Sequence, residues 1–148
     1  MTNKPNIGFK KLHPLAALPV YSTAEAAGAD VRAVEDVTLM NGDRCLVRTG
    51  LGCDIPKGWE LQVRPRSGLA FKEGVTVLNA PGTIDSDYQG ELCVLLINHG
   101  YHALNIKAGD RIAQIVVAPV TQGSFGWTGG VTRETDRGEG GFGSTGVA

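Results

Sequence analysis

Asp85, Asp87 and Glu91 fall within the ten residues GTIDSDYQGE, Gly82–Glu91, together with Tyr88 and two glycines. Carboxylates held that close repel one another, and folding alone does not ask for them. Such a cluster suits a site that must take a proton or hold a cation. The plainer alternative is that Asp85 and Asp87 are turn formers. Asp85 follows Pro81-Gly82-Thr83-Ile84, so the segment reads as a hairpin with a carboxylate at the rim of a pocket. Asp30, in AGADVRA (Ala27–Ala33), faces the same alternative, but its small apolar neighbours favour a placed carboxylate over a solvated one.

Two further segments suit an anion. PRSGLA (Pro65–Ala70) ends an alternating run and opens a candidate helix, where backbone N–H groups and a partial positive charge favour phosphate. Arg66 adds a guanidinium and Ser67 a hydroxyl. An ordinary N-cap beside an exposed arginine is the other reading. RGEGGFGSTG (Arg137–Gly146) has glycines that let backbone N–H groups wrap an anion, an arginine for a terminal phosphate and Phe142 to stack on a base. It is not a Walker loop, because no lysine precedes its Ser144-Thr145. A flexible terminus of chance composition is the alternative there. His99 and His102 lack acidic or cysteine partners at ligand spacing and read as loop residues. No nucleophile elbow supports a Ser–His–Asp triad, and no glycine fingerprint indicates a dinucleotide site.

The elements that must position these groups are strands. Trp59–Arg64 alternates cleanly, and Val75–Leu78, Leu92–Ile97, Leu104–Ile106 and Arg111–Val117 are short β-branched runs broken by turn residues. Gly8–Leu12, Asp30–Val34, Val37–Met40 and Cys45–Thr49 are earlier candidates. This spacing predicts an all-β, single-domain sandwich or jelly-roll-like barrel. One short helix is expected over Ser67–Lys72, with Ser67 as N-cap. The 148 residues suffice for one core, taken as residues 1–120. Residues 121–148 turn glycine-rich, with Phe125, Trp127 and Phe142 isolated among polar residues. They cannot build a core of their own, and the aromatics favour an arm that orders on a ligand or a neighbouring subunit over a solvated tail.

A net charge of -1 gives no basic surface for nucleic acid. No apolar run is long enough to span a membrane. MTNKPNIGFKK lacks the apolar core of a signal peptide. Three cysteines without a CxxC pair suggest a reducing compartment, so a cytoplasmic protein is expected.

Taken in order, AGADVRA, PRSGLA, GTIDSDYQGE, GDRIAQIV (Gly109–Val116) and RGEGGFGSTG resemble the motifs of the trimeric dUTPase family, the deoxyuridine triphosphate nucleotidohydrolases. The resemblance spans most of the chain, and its specificity lies in the order of the segments. Val31 stands where many members have leucine, a change confined to packing. The related dCTP deaminases would need a glutamate near Leu95 and lack the glycine-rich arm, so the resemblance favours hydrolysis.

The resemblance implies a homotrimer with shared sites that hydrolyses dUTP to dUMP and pyrophosphate, supplying dUMP for thymidylate synthesis. Asp85 would be the general base for water attacking the α-phosphorus. Arg66, Ser67 and Gly68 would hold phosphate oxygens, and Gln114 the α-phosphate. Arg137 would clamp the γ-phosphate, Phe142 would cover the uracil, and Gly143, Ser144 and Thr145 would close on the phosphates. Asp30 would support a Mg²⁺-bound triphosphate through metal-bound water. Asn79 and backbone groups near Gly82, Thr83, Ile84 and Cys93 would read the uracil edge, while Tyr88 packs under the deoxyribose and excludes a 2′-hydroxyl. Two other classes fit parts of the pattern: a nucleotide-sensing regulator, which has no need of a water-activating Asp85, and a ligand-free structural trimer, which leaves the Arg, Asp and Gly constellations unexplained.

Overall fold

The computed structural model describes residues 4–130, 133–142 and 146. In chain order its elements are β1 (Gly8–Lys11), β2 (Val20–Tyr21), β3 (Ala29–Arg32), β4 (Val37–Leu39), β5 (Arg44–Asp54), β6 (Trp59–Arg64), α1 (Ser67–Glu73), β7 (Val75–Val77), β8 (Gly82–Ile84), β9 (Glu91–Asn98), β10 (Leu104–Ile106) and β11 (Arg111–Pro119). One sheet has the order β1-β5-β9-β7 and a second the order β2-β3-β11-β6-β8, with β4 and β10 forming a small ribbon. Among the described residues every strand pairing is antiparallel. The sheets stay open, so the fold is a sandwich of jelly-roll type and not a closed barrel.

Alternation explains the layers. Along β9 each second residue (Leu92, Val94, Leu96, Asn98) is buried and each intervening one is half-buried. Those inward leucines and valines meet Val31, Leu61, Val63, Ala113 and Ile115 of the other sheet in one apolar cluster. Leu61 and Leu92 are wholly buried, and truncating either to alanine costs about 2–5 kcal/mol. Asn98 is the polar exception. Its amide donates to the Leu39 and His102 carbonyls at 3.0 and 2.8 Å, and its oxygen accepts from Gly100 N–H at 2.8 Å, so burial leaves no unmet group. The backbone around His99 and His102 thus serves the β9–β10 turn.

Three expectations need correction. The Asp85 segment is not a hairpin: β8 pairs with β6 in one sheet, whereas β9 pairs with β5 and β7 in the other. Gly82–Glu91 therefore crosses between sheets. The helix is capped at Arg66, in extended conformation without a side-chain capping bond, and Ser67 is already helical. Strand β5 runs on to Asp54 through a register shift between Arg48 and Leu51, which its Thr49-Gly50 pair had disguised as an end.

Candidate active site

Strands β3, β11 and β6 lie side by side, and their pairing puts Asp30, Gln114 and Arg64 on one rung and one face. Asp30 is mostly buried, its side chain only 14% exposed, and it is heavily engaged. Arg66 Nε lies 3.2 Å from Oδ1, Arg111 Nη1 lies 3.1 Å from Oδ2, and the Ser22 hydroxyl donates to Oδ2 at 3.2 Å. Arg66 also donates from Nη1 to the Arg111 carbonyl at 3.2 Å. Two guanidiniums on one carboxylate leave a local charge of +1, which suits an anion. The open start of α1 adds exposed Ser67 and Gly68 beside Arg66.

Gln114 is fixed at both ends. Its Nε2 donates to the Pro65 carbonyl at 2.9 Å. Its Oε1 lies where a side chain on Gly28 would have to go. A glycine at position 28 is what lets the amide lie flat against the loop before β3. A cavity of about 520 Å³ opens where Gln114, Arg64, Pro65 and Pro81 meet.

Asp85 is elsewhere. It is exposed just past β8, on a separate cavity of about 800 Å³ that also takes Asp87 and Lys57. Ile84 pairs with Leu61, and Gln114 pairs with Arg64. The two sites are therefore displaced along β6 by three residues, about 10 Å, before Asp85 itself is reached. The third acid of the sequence cluster also leaves it: Glu91 turns to Arg48 and Gly50 on β5. The tight carboxylate group expected from the sequence is thus divided between two places.

The remaining candidates fall as follows. Asn79 and Thr83 are exposed, Ile84 is half-buried, and Gly82 is buried against Val63 beside the Asn79 amide. Tyr88 is 44% exposed, with its hydroxyl donating to the Glu91 carbonyl at 2.9 Å. Cys93 is half-buried on β9, opposite Arg48. Arg137 donates from Nε to the Gly140 carbonyl at 2.9 Å, within its own turn, and Phe142 stands fully in solvent. Among the described residues neither makes a hydrogen bond or ion pair to Asp30 or Asp85. Gly143, Ser144 and Thr145 lie outside the described residues. Arg111 was missed by the sequence reading, although it sits inside GDRIAQIV; its only signal was a charged residue at the start of a β-branched strand.

The donor set bears on magnesium. Among the described residues no three acidic, cysteine or histidine side chains gather as a metal cage, and both Asp30 oxygens already face guanidiniums. Direct ligation by a protein-built cage does not fit. A hydrated Mg²⁺ carried on polyphosphate oxygens, with Asp30 reached through water, does fit, because Mg²⁺ keeps several waters and needs few carboxylates.

The family model described as dUTPase matches residues 15–146. The chain is 56% identical over 138 residues to the deoxyuridine 5′-triphosphate nucleotidohydrolase of Nautilia profundicola, covering 93% of this chain and 96% of that one. It is 54% identical over 148 residues to the enzyme of the same name from Helicobacter hepaticus, covering 100% and 93%. The solved structure of Staphylococcus bacteriophage 80alpha dUTPase with dUPNHPP superposes with a TM-score of 0.87 at 25% identity, covering 99% of this chain and 100% of that chain. With the match running through nearly all of its length, this chain belongs to the dUTPase family.

Proposed function

We propose that the protein hydrolyses dUTP to dUMP and pyrophosphate, and that each site is completed by more than one copy of the chain. The observation that carries the reading is the pair of guanidiniums on Asp30, a preformed cationic seat for a polyphosphate with Gln114 on the adjoining strand. The named relatives and the bound analogue of the phage enzyme support the choice of nucleotide.

In this reading Asp85 accepts a proton from a water whose oxygen attacks the α-phosphorus in line. The bond from that phosphorus to the α–β bridging oxygen breaks, and pyrophosphate leaves with the electron pair. A positioned base contributes about 10²–10⁴-fold. Arg66, Ser67 and Gly68 hold phosphate oxygens, Gln114 meets the α-phosphate, and Arg137 takes the γ-phosphate. Their fixed donors favour the charge that builds on those oxygens. A triphosphate-bound Mg²⁺, supported by Asp30 through water, would supply further charge neutralisation when present. Asn79 and the backbone at Gly82, Thr83, Ile84 and Cys93 read the uracil, Tyr88 packs under the sugar, and Phe142, Gly143, Ser144 and Thr145 close over the nucleotide.

The geometry supports a shared site. One chain sets Asp85 and Gln114 too far apart for both to serve one phosphorus, so the carboxylate of one copy is joined to the phosphate seat of another. The outer face of the β1-β5-β9-β7 sheet supplies a contact surface. Leu46 pairs directly with Leu95, and Leu78 N–H donates to the Leu95 carbonyl at 2.9 Å, so three leucines form one outward rung. Leu46 and Leu78 are 58% and 43% exposed, an apolar strip that a second copy of the chain would cover. We assign this face to a homotrimer, and residues 121–148 to an arm that covers a neighbour's site. Among the described residues no helix is long and apolar enough to cross a membrane, and a cytoplasmic location accords with a nucleotide substrate.

Pyrophosphate release from dUTP, dCTP, dTTP and UTP with Mg²⁺, together with the mass of the particle in solution, tests the reading. Release from dUTP alone by a trimer is expected. A silent enzyme, or a fully active monomer, would overturn it.

A further inference from the structure

We propose that Glu91 is a positioning residue that fixes the 85–91 loop and, through it, sets Tyr88 for the choice between deoxyribose and ribose; this rests on the dUTP reading above. Glu91 opens β9, and its side chain is 19% exposed. One carboxylate oxygen accepts from Gly50 N–H at 2.7 Å and the other from Arg48 Nε at 3.1 Å. Both donors belong to the stretch of β5 where the ladder to β9 slips. At such a slip backbone groups lose their regular partners, and side chains must take them up. Thr49 fills one side, donating its hydroxyl to the Leu92 carbonyl, and Glu91 fills the other.

From this anchor the loop is tied inward. The Glu91 carbonyl accepts the Tyr88 hydroxyl at 2.9 Å, and Tyr88 N–H donates to the Asp85 carbonyl at 3.2 Å. The Tyr88 hydroxyl lies so near Gly90 that a side chain at position 90 would strike it. The ring is thus folded over Gly90 and held by the backbone of the residue whose carboxylate grips β5. A shift of Glu91 moves the carbonyl that orients Tyr88, and Tyr88 is the group assigned to refuse a 2′-hydroxyl. An exposed Arg–Glu pair contributes little by itself. The Gly50 bond is different, since a carboxylate on a backbone N–H in a half-buried setting is charge-assisted and hard to replace.

The test is kcat/KM for dUTP and for UTP in the wild type, Glu91→Ala and Glu91→Gln, with thermal unfolding followed in parallel. In Glu91→Ala the dUTP-to-UTP ratio is expected to fall about ten-fold, the scale for losing one charged hydrogen bond. Glu91→Gln keeps an acceptor for Gly50 N–H but not the charge, and should restore part of the ratio. A merely structural role would lower the melting temperature and both activities together and leave the ratio alone; an unchanged ratio in folded Glu91→Ala overturns the proposal. If Glu91→Ala does not fold, Glu91→Asp decides, because it keeps the charge but draws the carboxylate back from Gly50 N–H. A lowered ratio there supports the proposal, and an unchanged one overturns it. A wild type that releases no pyrophosphate from dUTP overturns this inference together with the reading beneath it, whereas an active wild type with an indifferent Glu91 overturns this inference alone.

Discussion

Arg66 is aimed by Asp30, whose Oδ1 lies 3.2 Å from its Nε while Arg111 occupies Oδ2. The pair turns a flexible guanidinium into a fixed one, which is what a bidentate phosphate contact needs. Asp30→Asn keeps the shape and removes the charge. Arg66 then loses its orientation, and Arg111 is released from its partner. The affinity for a non-hydrolysable dUTP analogue is expected to fall about ten-fold, while that for dUMP changes little, because the loss falls on the outer phosphates. Calorimetric titration with both ligands checks this. An equal loss for both would place Asp30 at the nucleoside instead.

Asp85 is exposed and free of ion pairs among the described contacts, unlike Asp30. Asp85→Asn should therefore fold normally and still bind the analogue. Its turnover of dUTP should drop by about 10²–10⁴ if the carboxylate removes the water's proton. Single-turnover pyrophosphate release separates this from slowed product release. Turnover at the wild-type rate would take Asp85 out of the mechanism.

Gly28 and Gln114 test the phosphate seat from the other side. A methyl at position 28 would overlap Gln114 Oε1, so Gly28→Ala must swing the amide away from Pro65. The core is not touched, and stability should change by less than about 2 kcal/mol. The expected result is a loss in kcat/KM of about ten-fold or more, since small misplacements of a positioning group are costly. Pairing Gly28→Ala with Gln114→Ala in a double-mutant cycle checks the route: the second change should add nothing to the first.

Much of this was legible in the chain, for reasons that vary by element. Trp59–Arg64 is found where it was expected because its alternation reports one buried and one open face directly. β8 escaped notice because Gly82-Thr83-Ile84 is too short to show a period. The hairpin expected there failed for a deeper reason. Which strand another pairs with is settled by the packing of both sheets, and adjacency in sequence misled. The same limit applies at the site. Asp30, Arg66 and Gln114 were each visible as chemical types, but only the β3–β11–β6 register shows them as neighbours. Glu91 looked like the third member of an acid cluster, and the fold gives it to β5 instead.

Cys53 offers a prediction about stability and pH. It lies on β5 opposite Phe9, 5% exposed, and burial pushes its thiol up to about 11. In the unfolded chain the thiol ionises near its ordinary value, about 8.5. The folded state therefore holds a proton that the unfolded state releases across that window. Its contribution is complete below about pH 8.5 and declines as the pH rises toward 11, because ionisation favours the unfolded chain. Cys53→Ala removes the group and with it this dependence, though it also loses the packing of the sulfur. Denaturant unfolding at intervals from pH 7 to pH 11 should show the wild type's advantage over Cys53→Ala shrinking by on the order of 2–3 kcal/mol as the pH rises. An advantage that stays constant through that range would mean the thiol ionises as readily inside the fold as outside it, and Cys53 would not be sealed in the sandwich.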